Sequence, residues 1–289
     1  PKLLQYFLDF FAEQGKTLEL SIRRTRERLS TFDNKYPSAS WLPVVCESGK
    51  TESLTWHKLG GLPACPYRGL FTFTEEDSDL FFGRNKFIKQ LAEAIVTKSF
   101  VTVMGTSGSG KSSVVLAGLV PYLKRQAKEI LKEIKIAIFT PGHNPFDALA
   151  GAVISLQNST NKNQQTLDKF NLLTQLQQNT QTLTKNLEKI ILDSSINQIV
   201  LVIDQFEELY TFAPPVQIKP FLDSLLTAIE QLDFLRVIIT LREDFLGKAL
   251  ETFGETLQKY KPEFILKMNR EEIEKAITLP ARKRGVTID

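Results

Sequence analysis

The 289 residues include 36 lysines and arginines against 33 acidic residues, with 42% hydrophobic content, enough for one large domain or two smaller ones with packed cores. A formal net charge of +3 is too small to mark a nucleic-acid or membrane surface, so neither is expected as a direct partner. Cys46 and Cys65 stand far apart with no histidine at metal-ligand spacing, which argues against a disulfide framework and fits a reducing cytoplasm, and no apolar run approaches the ~20 residues that span a bilayer.

The chain opens on Pro1 and ends at Asp289 just after the extended-looking "GVTI", and it is expected to be a piece of a longer protein. "LLQYFLDFF" carries Asp9 within an apolar segment and reads as a core helix, not an export signal. Thr17 is a candidate N-cap for "LELSIRRTRERL", where Leu18, Ile22, Thr25 and Leu29 share one face and the charged residues the other. A polar, turn-rich loop "FDNKYPSAS" follows, then a short buried strand "WLPVVCES" interrupted by Pro43. Helix, loop and short strand do not complete a domain. The glycines and prolines of "LGGLPACPYRGL" at 59–70 mark the boundary to the next one.

Beyond the boundary, "SDLFFGRNKFIKQLAEAI" reads as a loop entering a helix and "SFVTVMG" as a strand feeding a glycine loop. A long helix, the strand "IKIAIFT" and a helix capped by Asn144 with Pro145 at its first position come next. Residues 157–198 are rich in glutamine, asparagine and threonine, yet Leu167, Leu172, Leu173, Leu176, Leu183 and Leu187 recur at helical intervals, which predicts polar helices with a loop between them. The strand "QIVLVIDQF", the helix "IKPFLDSLLTAIEQL" and the strand "LRVIITLRED" follow, and "NREEIEKAITLPARKRG" begins a further helical unit. Continuous apolar strands separated by helices predict an α/β fold with a parallel sheet covered on both faces.

"GTSGSGKS" at 105–112 matches G-x-x-x-x-G-K-[ST], with strand before and helix after. Gly105, Gly108 and Gly110 allow the backbone to point successive amides, through Ser107, Ser109 and Ser113, at phosphate oxygens, while Lys111 is placed for the β- and γ-phosphates and the Ser112 hydroxyl for Mg²⁺. Asp204, ending the strand "IVLVID", is the expected second Mg²⁺ carboxylate. Glu207 and Glu208 follow in the turn; either could position the attacking water, and the other would merely start a solvated helix. Arg242, at the end of "RVIITLR", stands where a γ-phosphate sensor sits in such folds, or else pairs with Glu243 or Asp244. Phe82, Gly83 and Arg84 in "LFFGR" offer a wall for a nucleotide base, although core packing accounts for the phenylalanines nearly as well. His57 and His143 read as loop residues and Cys46 as a buried structural thiol.

Together, "CPYRGLFTFTEEDSDLFFGR", "GTSGSGKSSVVLAGLVPYL", "LVIDQFEELYT" and "VIITLREDFLG" resemble the STAND signal-transduction ATPases, in particular the novel STAND group often found upstream of WD-repeat arrays. That resemblance covers residues 65–289 and implies a P-loop NTPase three-layer sandwich with a helical lid behind it. It further implies an ATP–ADP switch, with Mg²⁺, that forms homo-oligomers when a C-terminal sensor domain of repeats detects its trigger. Residues 1–60 more weakly resemble the end of a CHAT or caspase-like protease domain, an effector, without any catalytic motif of that family. The implied organisation is therefore a partial caspase-like α/β segment at 1–60, a linker at 61–80, the ATPase core at 81–262 and the start of the lid at 263–289. Two rival readings keep the same loop: a remodelling motor of the AAA type, and a scaffold that binds nucleotide without hydrolysing it.

Overall fold

The computed structural model describes residues 2–30, 65–69, 71–157, 162–193 and 196–286. The strand expected at 41–47 with Cys46, the loop before it, and His57 lie outside the described residues. The chain divides into two compact units, Pro1–Leu70 with Glu274–Asp289, and Phe71–Ile273. Among the described residues no helix is long and apolar enough to cross a membrane.

In the first unit, α1 (Lys2–Leu8) continues into a π turn at Asp9–Glu13, and α2 (Leu18–Ser30) follows. Thr17 caps α2 as expected, its hydroxyl accepting from the Leu20 amide at 3.3 Å. The buried stripe of α2 is Ser21, Thr25 and Leu29, with Leu18 and Ile22 only half-buried beside it. Hydroxyls tolerate this burial because each bonds back along the helix, Ser21 to the Thr17 carbonyl and Thr25 to the Ser21 carbonyl, both at 2.7 Å. Phe10 and Phe11 are buried whereas Leu4 is 58% exposed, so the first segment supplies a core only at its C-terminal end.

The second unit is a three-layer α/β/α sandwich. Its elements in chain order are α3 (Asn85–Thr97), β1 (Phe100–Gly105), α4 (Lys111–Ser113), a π turn (Val114–Leu119), α5 (Val120–Glu129), β2 (Ile134–Phe139), α6 (Pro145–Ser155), α7 (Lys162–Gln178), α8 (Gln181–Leu192), β3 (Gln198–Ile203), α9 (Glu208–Thr211), α10 (Pro215–Gln231), β4 (Leu235–Arg242), α11 (Leu246–Lys259) and β5 (Glu263–Phe264). Helix α12 (Arg270–Lys283) crosses the division between the units. The strands are all parallel in the order β2-β3-β4-β1-β5.

Strand alternation sorts the side chains into two cores. Phe100 and Met104 of β1 face a core shared with α6, α7, α8, α10 and α11, while Val101 and Val103 face one shared with α3 and the helix after the glycine loop. The polar tract is helical as predicted: Leu172, Leu176, Leu183 and Leu187 are buried, whereas Leu167 is 59% exposed. Asn144 caps α6 with Pro145 at its first turn, its Oδ1 accepting from the Asp147 amide. The sheet takes in Glu263 and Phe264, paired with Val103 and Met104, so the boundary expected at residue 263 falls inside the sheet.

The π turn presents Gly118 to α3. A Cβ there would lie 2.5 Å from Ile88 Cδ1 and 3.3 Å from Phe81 Cε1. Gly118→Val is therefore expected to destabilise the unit by ~1–3 kcal/mol through overpacking, with Gly118→Ala less harmful because helix propensity offsets part of the clash. Chemical denaturation of the two variants checks this, and a valine variant as stable as the parent would contradict it.

Candidate functional site

The sheet order brings the site together. The chain leaves β1 through the glycine loop, crosses to the far edge at β2 and returns through β3, and β4 then fills the place between β3 and β1. The carboxyl ends of β1, β4 and β3 thus lie side by side and form the crevice in which open α/β sheets place ligands.

Gly108 and Gly110 hold φ of +73° and +88°, a left-handed backbone that side chains resist, and open space lies where a Cβ would project from each. Among the described residues the amides of Ser107, Gly108 and Gly110 have no acceptor within the protein. A Cβ on Gly105 would run into Ile265 Cγ2 and lie 2.9 Å from the Ser109 hydroxyl, so this glycine answers to packing against the segment after β5. Ser109 Oγ is itself buried without a hydrogen-bond partner.

Lys111 is buried and its ammonium donates to the carbonyls of Gly105 at 3.1 Å and Thr106 at 2.8 Å. Burial lowers its pKa, opposed chiefly by the charge of Glu207. Ser112 Oγ donates to Asp204 Oδ1 at 2.8 Å across the end of β4. The Ser113 hydroxyl faces elsewhere and accepts from the Phe73 amide at 3.1 Å, tying the loop's helix to the chain before α3.

Glu207 and Glu208 diverge although they are adjacent. Gln205 between Asp204 and the pair takes a left-handed φ of 53°, which turns the chain sharply out of β3. Glu207 Oε2 then accepts from the Arg242 amide at 3.3 Å, whereas Glu208 turns to the β2–α6 loop, beside Gly142. Burial pushes the Glu208 pKa up, the nearby Gly142 backbone amide opposes this, and the charges of Glu207 and Asp204 add to it. A carboxyl raised in the folded state favours folding when protonated, and that stabilisation is lost as pH rises through the folded value. Glu208→Gln is expected to flatten the rise in melting temperature on acidifying from neutral pH toward ~5, and an unchanged pH slope in calorimetry would contradict this.

Arg242 is paired with Asp244 in a two-pronged contact of 3.0 and 2.6 Å, which raises its pKa. Of the two uses weighed for this arginine, the ion pair is the one seen, and its acidic partner is Asp244. Arg84 is buried and donates to the Leu266 carbonyl at 2.8 Å, with its pKa lowered by burial. Gly83, at φ 89°, is buried beside it and Phe82 is half-buried. The "FFGR" segment thus grips the strand end that continues from β5. His143 stacks obliquely on Phe212 with ring centres 5.0 Å apart.

Sequence reasoning missed Thr240. Its buried hydroxyl donates to Asp204 Oδ1 at 2.6 Å and accepts from the Gln205 amide at 2.8 Å. The signal was a polar residue inside the apolar run "RVIITLR".

These groups fit a nucleoside triphosphate with Mg²⁺. Free amides on a left-handed glycine loop receive phosphate oxygens, and Lys111 lies in the same loop. A hydroxyl and a carboxylate already in contact suit a cation that keeps several waters and shares phosphate oxygens, as Mg²⁺ does.

A family model described as Novel STAND NTPase 1 matches residues 66–289. No curated protein matches in sequence. Similar solved structures include the Aeropyrum pernix ORC1 protein in complex with DNA, with TM-score 0.47 and 14% identity over 72% of this chain and 50% of that one. The Aeropyrum pernix ORC2 protein in ADPNP–ADP complexes has TM-score 0.48 and 12% identity over 70% and 52%. The Walker-type ATPase PABY2304 of Pyrococcus abyssi has TM-score 0.47 and 14% identity over 75% and 62%. The chain thus spans 50–62% of the length of these proteins.

Proposed function

Because the chain belongs to the Novel STAND NTPase 1 family, we propose that it is a switch, binding ATP or ADP with Mg²⁺ at the glycine loop and hydrolysing ATP slowly. The observation that carries this reading is the contact of Ser112 with Asp204, beside a glycine loop in which Lys111 bonds the Gly105 carbonyl at the end of β1. Amides of the loop and Lys111 bind the phosphates, Ser112 and Asp204 hold Mg²⁺, and Glu207 orients the attacking water. Mg²⁺, when bound, supplies charge neutralisation between the phosphates.

Glu207 is preferred to Glu208 for the water because its carboxylate is held at the end of β4 by the Arg242 amide, while Glu208 turns away to the β2–α6 loop. Support for slow turnover is the motif resemblance to the STAND switches; on this reading Lys111 exchanges the loop carbonyls, and Arg242 exchanges Asp244, for phosphate oxygens. The "FFGR" segment, through Phe82, Gly83 and Arg84, lines the base on this reading.

We further propose that nucleotide state controls homo-oligomerisation, and that this brings together a CHAT or caspase-like effector ending within residues 1–60 under the command of a C-terminal sensor. Support for this part is the motif resemblance, and clustering of an effector raises its effective concentration. Calorimetry with Mg-ATP and Mg-ADP, combined with turnover measurements, tests the switch. Tight binding with slow turnover is expected; steady, rapid hydrolysis is the result of a motor, and absence of hydrolysis that of a scaffold.

A further inference from the structure

We propose that Thr240 is a positioning residue that aims Asp204 at Ser112 and holds the turn presenting Glu207. Thr240 lies on β4, the strand inserted between the loop strand and the Asp204 strand, and is buried to within 1% of full exclusion from solvent. Three bonds run from this one residue to the turn after β3. Its hydroxyl donates to Asp204 Oδ1 at 2.6 Å and accepts from the Gln205 amide at 2.8 Å, and its carbonyl accepts from the Phe206 amide at 2.9 Å.

Each bond acts on a different part of the site. The hydroxyl and Ser112 Oγ both donate to Oδ1 of Asp204, and among the described residues no protein donor reaches Oδ2. The carboxylate is therefore fixed in rotation with one oxygen shared by two hydroxyls. The Gln205 amide bond stabilises a left-handed φ that a residue with a Cβ adopts only at a cost. That turn sends Glu207 back toward β4, where the Arg242 amide, two residues beyond Thr240, receives its carboxylate. A hydroxyl at this spot is also required in a simpler sense: valine has the same shape, but it would remove the buried donor to Asp204 Oδ1 and the acceptor of the part-buried Gln205 amide.

The inference rests on reading Asp204 as the Mg²⁺ carboxylate. Outer residues that orient a metal ligand commonly change metal affinity 10–100-fold. The test compares wild type, Thr240→Ser and Thr240→Val by titrating Mg²⁺ against fluorescent ADP, with Mg²⁺-free affinity measured on the same proteins. Thr240→Val is expected to need ~10–100-fold more Mg²⁺ for half-maximal tightening while keeping Mg²⁺-free ADP affinity within about twofold. Thr240→Ser is expected to restore the wild-type midpoint, because only the hydroxyl is at stake. Should the valine variant fail to fold, Thr240→Cys, of similar volume and with only a weak S–H donor, replaces it with the same expected shift. An unchanged midpoint in the valine or cysteine variant, or a serine variant as impaired as valine, overturns the role of Thr240. A wild-type protein whose ADP affinity ignores Mg²⁺ overturns the underlying reading of Asp204 and this inference with it, so the two failures are distinguished.

Discussion

Lys111→Ala is expected to weaken Mg-ATP and Mg-ADP binding by ~10–100-fold while leaving the melting temperature unchanged or higher. A charge-assisted hydrogen bond contributes ~1.5–3 kcal/mol, about tenfold or more in affinity, and no other lysine or arginine lies in the loop to replace it. The stability side follows from the same side chain. Burial disfavours the charged ammonium, so the folded protein gives up free energy at neutral pH to keep Lys111 protonated. Alanine removes that cost together with the two bonds to the loop carbonyls. Binding lost without loss of stability marks a group kept for function. Calorimetric binding and thermal melts on the same preparation check both halves; a variant that binds nucleotide as tightly as wild type removes Lys111 from the phosphate site.

The second large effect is expected at Glu207. Glu207→Gln keeps the shape and the contact with the Arg242 amide but loses the charge that orients water, and positioned acid–base groups contribute roughly 10²–10⁴ in rate. Single-turnover hydrolysis should fall within that range, with Mg-ATP affinity preserved within a few-fold, so that the variant accumulates in its ATP-bound form. Glu208→Gln should hydrolyse ATP at nearly the wild-type rate, because its carboxylate serves the β2–α6 loop. If the two variants exchange these behaviours, the divergence of the pair has been assigned the wrong way round.

Much of the second unit was legible because its signals are local. β2, β3 and β4 announce themselves as apolar runs between helical patterns, and Asn144 with Pro145 names the start of α6 through the chemistry of a single turn. β5 was not legible. Two residues carry no period, and Glu263 and Phe264 become a strand only because Val103 and Met104 offer them an open edge. The π turn at Val114–Leu119 was equally hidden, since its sequence differs in no visible way from an ordinary apolar helix.

At the site, the glycine loop with Lys111 and Ser112 was legible in the sequence because its spacing belongs to a short contiguous stretch between strand and helix, and Asp204 because it is the acidic end of an apolar strand. The tertiary structure alone decided three things. It set β4 between β1 and β3, which is a matter of pairing between strands distant in the chain. It separated Glu207 from Glu208, two identical side chains that differ only in direction, through the left-handed Gln205 and the Arg242 amide. It also gave Thr240 its partners and Arg242 its ion pair with Asp244, because a hydroxyl or guanidinium acquires a role only from what the fold brings within about 3 Å of it.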